Sequence, residues 1–345
     1  MPSLAGVPIG GTGQTAAFEP RLGPGTLRPM GHEQHTAAVF APVLHLTVTI
    51  ELKSTGEDEI HVHPGGQGFW IARMLKHLGE RPLLCGPLGG EAGQVFKGLL
   101  GQWGMDLSTV DVARGSPIVI HDRRSGDRDT LAQSPSIDLA RHEIDDIYGK
   151  FFDRALASSL GVITGQNEQI FPTSFYRRLG HDLNAGGIRV VADLHGPELE
   201  EFLDGGPIEI LKVSDEDLET DGLLPSREAD RGVCEVVIDK LVAMGARNVV
   251  LSRQDKPALA RFGDAQYEAT APELEPADHR GAGDSMTAGL TAALRQGLDP
   301  EATLRLACAA GAANVTRHGL GSAEADLIPG LVEKVEVKRL SQATP

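Results

Sequence analysis

"DHRGAGDSMTAGLTAAL", residues 278–294, sets two glycines around one alanine, follows them with a carboxylate and continues as an apolar run. Met286, Leu290, Ala293 and Leu294 recur at helical spacing, so the run predicts a helix that starts at about Asp284 and extends to residue 296. The first N–H groups of a helix have no acceptor within it, and the helix dipole adds partial positive charge there. Glycine at 281 and 283 lets an oxygen approach that backbone with no Cβ in the way. A carboxylate at this place is badly set to bind phosphate but well set to take a proton from a hydroxyl that attacks one. Local composition admits two readings of Asp284. It either caps the helix after a turn or serves as the base of phosphoryl transfer, with Gly281, Ala282 and Gly283 as the anion hole.

Around this stretch, strand and helix patterns alternate. Strands are predicted near 43–52, 81–86, 117–122, 160–164, 188–193, 208–213, 247–252 and 258–262. Helices are predicted near 68–79, 91–103, 171–186, 226–244, 284–296 and 301–316. The alternation predicts an α/β fold with a mostly parallel sheet covered by helices on both faces. Ligands of such sheets bind beyond the carboxyl ends of the strands, where "HPGGQGFW", "DLHGPEL", "LKVSDEDL", "LSRQDKP" and "DHRGAGDSM" fall. Residues 1–38 are rich in Gly and Pro without a lasting period and read as a flexible N-terminal extension. "GGTGQT" within them lacks the lysine and the preceding strand of a phosphate loop.

The chain has 345 residues, 41% of them hydrophobic, enough for a substantial core. Its 48 acidic and 32 basic residues give a net charge of -16, which disfavours nucleic acid and anionic membrane as partners. Three scattered cysteines fit neither a disulfide framework nor a cysteine-rich zinc site, and no apolar run is long enough to span a bilayer. These features predict a cytoplasmic protein. His61 and His63 share one face of a strand but no third zinc ligand follows them, and "SDEDLETDG" lacks the ligand order of a calcium loop.

"GAGDSMTAGL" resembles the C-terminal signature of the PfkB, ribokinase-like family of carbohydrate kinases. "PGGQGFWIARMLKHLGERPLLCGPLGGEAGQVFKGLL" resembles its N-terminal signature, most closely that of the 1-phosphofructokinase and tagatose-6-phosphate kinase branch. The likeness runs from about Val43 to about Val335. It implies a ribokinase-like three-layer sandwich over residues 42–335 with a mostly parallel central sheet, a small β-lid from segments 51–63 and 112–134, and a C-terminal tail at 336–345. It also implies ATP-dependent phosphorylation, with Mg²⁺, of a hydroxyl on a sugar or sugar phosphate, a ketohexose phosphate being the nearest guess, and a homodimer through the lid. By the same likeness Asp284 is the base and Gly281, Ala282 and Gly283 the anion hole. Gly65, Gly66, Gln67 and Gly68 fall on the sugar side of the cleft. Lys212, Ser214, Ser252, Asn314 and Gly319 fall on the nucleotide side, and Asp217 is placed towards Mg²⁺. Arg280 either clamps a substrate phosphate or pairs with Asp278.

Departures from the branch pattern accompany the match. Gln67 and Trp70 stand where the branch has lysine and asparagine, so a positive charge and a carboxamide are missing. Glu51 or Lys53 stands near the place of a sugar-gripping aspartate. Ser214 and Asp217 replace an asparagine and a glutamate, and Arg253, Gln254 and Pro257 replace the hydrophobe and both glycines of a nucleotide loop. They leave two alternatives open: a catalytically reduced protein that binds a sugar phosphate or nucleotide, and a kinase of a nucleoside-like alcohol on which Trp70 stacks.

Overall fold

The computed structural model describes residues 34–165, 169–272, 281–315 and 327–340. In chain order the elements are β1 (Ala37–Phe40), β2 (His45–Leu52), β3 (Asp58–Gly65), α1 (Gln67–His77), β4 (Pro82–Gly89), α2 (Gly90–Gln102), β5 (Asp106–Val112), β6 (Ile118–Asp122), β7 (Asp129–Gln133) and α3 (Arg141–Ser158). There follow β8 (Leu160–Thr164), α4 (Thr173–Ala185), β9 (Arg189–Asp193), α5 (Gly196–Gly205), β10 (Ile210–Ser214), α6 (Asp215–Thr220), α7 (Arg231–Met244) and β11 (Asn248–Arg253). The last are β12 (Lys256–Phe262), β13 (Ala265–Thr270), α8 (Ala282–Gln296), α9 (Pro300–Val315), α10 (Leu327–Lys334) and β14 (Glu336–Leu340).

Among the described residues, ten strands form one sheet in the order β14-β13-β12-β11-β10-β9-β8-β1-β4-β5. From β5 to β11 neighbouring strands run parallel, and β12, β13 and β14 close one end antiparallel. Strand β1 lies near the middle and shows how the layers arise. Ala37 and Val39 pack into the core with α1, α2, α8 and α9, while Ala38 and Phe40 face α3, α4, α5 and α7 on the other side. With period-two side chains and both faces covered, "AAVF" must be apolar at every position. Phe40 alone packs on Phe151, Phe171 and Phe175, with ring centroids 5.3, 5.4 and 5.4 Å away. This is the ribokinase-like α/β arrangement that the sequence predicts.

Two boundaries differ from expectation. β1 lies within or beside the stretch expected to be loose up to residue 38, because a four-residue buried strand has too few residues to show a period. The expected C-terminal tail also begins with a strand, β14, whose backbone pairs with β13 from Gln266↔Leu340 to Thr270↔Glu336. Its exposed lysine and arginine suit an edge strand. A separate four-stranded sheet, ordered β3-β2-β6-β7, occupies residues within 45–65 and 118–133, so its first part begins before residue 51. No helix among the described residues is long and apolar enough to cross a membrane.

Candidate active site

The carboxyl ends of β9 and β10 carry the central charges. Asp193 and Lys212 are register partners on neighbouring parallel strands. Their neighbours Val191 and Ile210 pack on the α8 side of the sheet, so the period-two rule turns Asp193 and Lys212 to that side as well. Both are 5% exposed, and the Lys212 Nζ lies 3.2 Å from each oxygen of the Asp193 carboxylate. Thr287, one turn into α8, donates its hydroxyl to Asp193 Oδ2 at 2.9 Å. Burial works against the Lys212 charge, but Asp193, Asp217 and Asp284 together outweigh it and hold the ammonium above the usual lysine range.

Helix α8 starts two residues earlier than predicted. Gly281 is its N-cap in the left-handed region (φ 76°), and Ala282 and Gly283 are helical. The helix bond from Ser285 N–H to Gly281 C=O, 2.9 Å, leaves the N–H groups of Ala282, Gly283 and Asp284 without helix acceptors. The presumed loop is thus the helix's own first turn. A Cβ added to Gly283 would stand 2.8 Å from Lys212 Nζ, so the lysine closes on this turn. Asp284 is half-buried beside it. Burial foremost, then the charge of Asp193, raises its carboxyl to about 7, against the opposing pull of Lys212 and of the nearby Gln67 amide.

On the other flank Ser214 caps α6. Its Oγ accepts from the Asp217 N–H at 3.1 Å, while Asp217 Oδ2 accepts from the Ser214 N–H at 3.1 Å and hydroxyl at 2.6 Å. Asp217 Oδ1 is left facing His195 Nε2 at 3.9 Å. His195 is anchored through Nδ1 to Asp221 at 3.1 Å. Burial opposes its protonation, yet the Asp221 bond and the charge of Asp217 keep it above the usual histidine range. Ser252 at the end of β11 is the register partner of Ser214 and donates to the Val213 carbonyl at 3.3 Å. Asn314 is buried on α9.

The structure therefore gathers Asp284, Gly281, Ala282, Gly283, Gln67 and Lys212 around the start of α8. Ser214, Asp217 and Ser252 are placed at the neighbouring strand ends. Gly65, Gly66 and Gly68 form the turn into α1. Arg280 and Gly319 lie outside the described residues, as does the segment 1–33 with its "GGTGQT". Glu51 pairs at 3.8 Å with Arg123, and Lys53 sits exposed at the turn joining β2 to β3.

One expectation drawn from a departure is corrected. Trp70 is a core residue, 6% exposed, packed on Phe69 with ring centroids 4.6 Å apart, and offers no open face to a flat ring. Its position on the fourth residue of α1 turns it under the helix rather than out of its end. Arg253, which stands where the branch has a hydrophobe, folds inward, 8% exposed, and donates to the Ala229 carbonyl at 3.0 Å. Gln254 does occupy the left-handed region, φ 44°, in the tight turn between β11 and β12. The sequence reading overlooked Asp193, Thr287, His195 and Asp221. Asp193 had a signal, since it ends "VVAD" as Lys212 nears the end of "ILKVS"; the others have none without the fold.

A profile of the pfkB family of carbohydrate kinases matches residues 45–326. The 1-phosphofructokinase of Bacillus subtilis is 27% identical over 286 residues, covering 81% of this chain and 89% of that protein. The ATP-dependent 6-phosphofructokinase isozyme 2 of Mycobacterium tuberculosis is 26% identical over 305 residues, covering 83% of this chain and 85% of that protein. Phosphofructokinase-2 from Escherichia coli, solved in complex with potassium, superposes with a TM-score of 0.77 at 21% identity, over 87% of this chain and 99% of that one. That superposition is a likeness of fold.

Proposed function

The chain belongs to the pfkB family of carbohydrate kinases, and from that premise we propose that it transfers the γ-phosphoryl group of ATP to a hydroxyl of a sugar phosphate. A ketohexose phosphate is the first candidate, in keeping with relatives named as phosphofructokinases. The observation that carries the reading is the convergence of a half-buried carboxyl, unbonded helix N–H groups and a buried ammonium: Asp284, the first turn of α8, and Lys212.

In this mechanism Asp284 takes the proton of the acceptor hydroxyl as its oxygen attacks the γ-phosphorus, and the bond to the bridging oxygen of ADP breaks. The N–H groups that follow Gly281 meet the charge on the transferring phosphoryl oxygens, and Lys212 adds a full positive charge beside them. A base that titrates near neutrality combines basicity with a useful ionised fraction. Gly65, Gly66, Gln67 and Gly68 are assigned to the acceptor side, Ser214, Ser252 and Asn314 to the nucleotide side, and Arg280 and Gly319 to acceptor and nucleotide by sequence position. The described residues hold no cluster of three or more candidate metal ligands. Mg²⁺ suits such a site, because it commonly binds through one or two carboxylates, substrate phosphates and water. Asp217, with Oδ1 free of the cap, would face it, and the ion would neutralise nucleotide phosphate charge.

The four-stranded sheet is assigned as the lid and as the surface for a second copy. Val48, Ile50, Ile60 and Val62 share its outer face by register, and Ile60 and Val62 are 64% and 46% exposed. The functional test is ATP consumption with Mg²⁺ across hexose phosphates, free sugars and nucleosides, with Asp284→Asn as control. Turnover on one class, abolished in the control, supports the kinase reading and names the acceptor. Silence from folded protein that still binds a sugar phosphate in calorimetry refutes it in favour of a binding protein.

A further inference from the structure

Opposite Val48 and Ile60, the four-stranded sheet has a second face, and this one is polar where the sheet meets the turn into α1. Register pairs His45 with Gly65, Thr47 with His63 and Thr49 with His61, which sets these residues on one side. Thr47 and Thr49 are 1% and 6% exposed. Thr49 Oγ1 lies 3.4 Å from His63 Nε2. Thr47 Oγ1 and His63 Nδ1 are both buried and have no hydrogen-bond partner among the described residues. A Cβ added to Gly65 would stand 2.4 Å from His45 Nε2 and 2.7 Å from Thr47 Oγ1, so these two polar atoms close on the glycine turn that leads to Gln67. The His63 ring is seated edge-on against Trp70, with centroids 6.2 Å apart. Burying a hydroxyl and a ring nitrogen without partners costs stability, and native folds keep few such groups. Two of them on paired residues mark a place where an oxygen-rich group completes the bonding.

We propose that His45, Thr47 and His63, at the root of this sheet, form the subsite for the phosphate group that the acceptor already carries. The inference rests on the sugar-phosphate reading and deepens it. A phosphate brings three strong acceptor oxygens to the Thr47 hydroxyl and the imidazole N–H groups. The surrounding charge suits it. Besides each other, the charged groups that act on the two imidazoles are His61 from β3, His121 from β6, Arg128 from the turn joining β6 to β7, and Arg73 from α1, all of them basic. Burial foremost, then these cations, lowers His45 and His63 to about 4, so near neutrality each ring is uncharged and keeps one N–H to donate. The carboxylates on the same face, Glu51 and Glu59, lie further along the strands and face His61 at 4.0 and 3.7 Å. In a chain of net charge -16, a basic region free of carboxylates favours an anionic group over a neutral sugar hydroxyl.

Isothermal titration calorimetry of the full chain with fructose 1-phosphate, fructose 6-phosphate, fructose and inorganic phosphate tests the assignment. One of the two sugar phosphates should bind roughly tenfold or more tighter than fructose. Thr47→Val removes only a hydroxyl that has no partner in the free protein, so its melting temperature should hold or rise. Its affinity for the sugar phosphate should nevertheless fall by roughly five- to tenfold, with fructose unaffected. His63→Phe keeps a ring beside Trp70 and should weaken the same ligand in the same sense. Unchanged affinity in both folded variants overturns the proposal; a lowered melting temperature alongside it returns the Thr47 hydroxyl to a structural role bridged by buried water. An equal loss for fructose also overturns it, because the cluster then reads sugar hydroxyls. So does inorganic phosphate bound as tightly as either sugar phosphate, which marks a free-anion site, or a folded parent that binds neither sugar phosphate. Binding with the expected dependence but without turnover leaves the subsite standing and fails the kinase reading. Turnover of a ketohexose phosphate at parental KM in Thr47→Val does the reverse.

Discussion

Replacing Asp284 by asparagine should make the protein both far less active and more stable, and the stability gain should depend on pH. An unfolded aspartate titrates near 3.9, whereas Asp284 in the fold titrates at about 7. Between these values the native state holds a proton that the unfolded chain has released, so stability falls as pH rises from about 4 to about 7 and is level above. About three pH units at roughly 1.4 kcal/mol each give a cost of about 4 kcal/mol above pH 7. Asparagine keeps the shape without the charge, and Lys212 retains Asp193. Urea unfolding followed by circular dichroism should therefore show the variant more stable by up to about 4 kcal/mol at pH 8 and nearly equal to the parent at pH 4. Turnover should fall by roughly 10² or more in the same protein. A variant no more stable than the parent at pH 8, or one with the same gain at both pH values, would refute the claim that burial strains this carboxylate.

Lys212→Met should cost about 3–5 kcal/mol by leaving the Asp193 carboxylate buried without its cation, and adding Asp193→Asn should restore much of the loss; denaturant midpoints of the single and double variants check this, and a single-variant cost under about 1 kcal/mol would contradict it. Gln254→Gly should stabilise the turn between β11 and β12 by about 1 kcal/mol, because Gln254 stands at φ 44° where glycine is free of Cβ strain. Calorimetric melting reads the gain, and a lower melting temperature would show that the Gln254 side chain has stabilising contacts. Ile60→Asp should turn a dimer into a monomer in analytical ultracentrifugation if the outer face of the four-stranded sheet receives a second copy. An unchanged sedimentation coefficient for a dimeric parent would move the interface elsewhere.

Elements with a clear period were legible before any coordinates. The stretch 160–164 is β8 to the residue, and the helices predicted at 68–79, 91–103 and 301–316 appear within one or two residues as α1, α2 and α9. Helix α3 has no counterpart in the sequence pattern although Ile144, Ile147, Phe151 and Ala155 mark its buried side, because the charged residues Asp145, Asp146, Lys150, Asp153 and Arg154 interleave them and mask the stripe. Strand β1 was lost for the opposite reason: burial on both faces erases alternation. The site was legible where its chemistry is local. Asp284 and the glycines before it are contiguous, but their geometry was misjudged by two residues, since Gly283 reads as a turn residue and in fact sits in the first helical turn.

The sequence by itself determined the α/β alternation, the family signatures and the residue types of the catalytic stretch, because periodicity, helix-start chemistry and contiguous motifs act over a few residues. Tertiary structure decided which of those residues meet. Strand register set Asp193 beside Lys212, and the packing of α1 on α8 brought Gln67 to Asp284. Burial sent Trp70 inward although its place in the glycine signature suggested a ring open to ligand. Those outcomes depend on contacts between elements far apart in the chain, and on how desolvation balances charge once they meet, neither of which a local pattern contains.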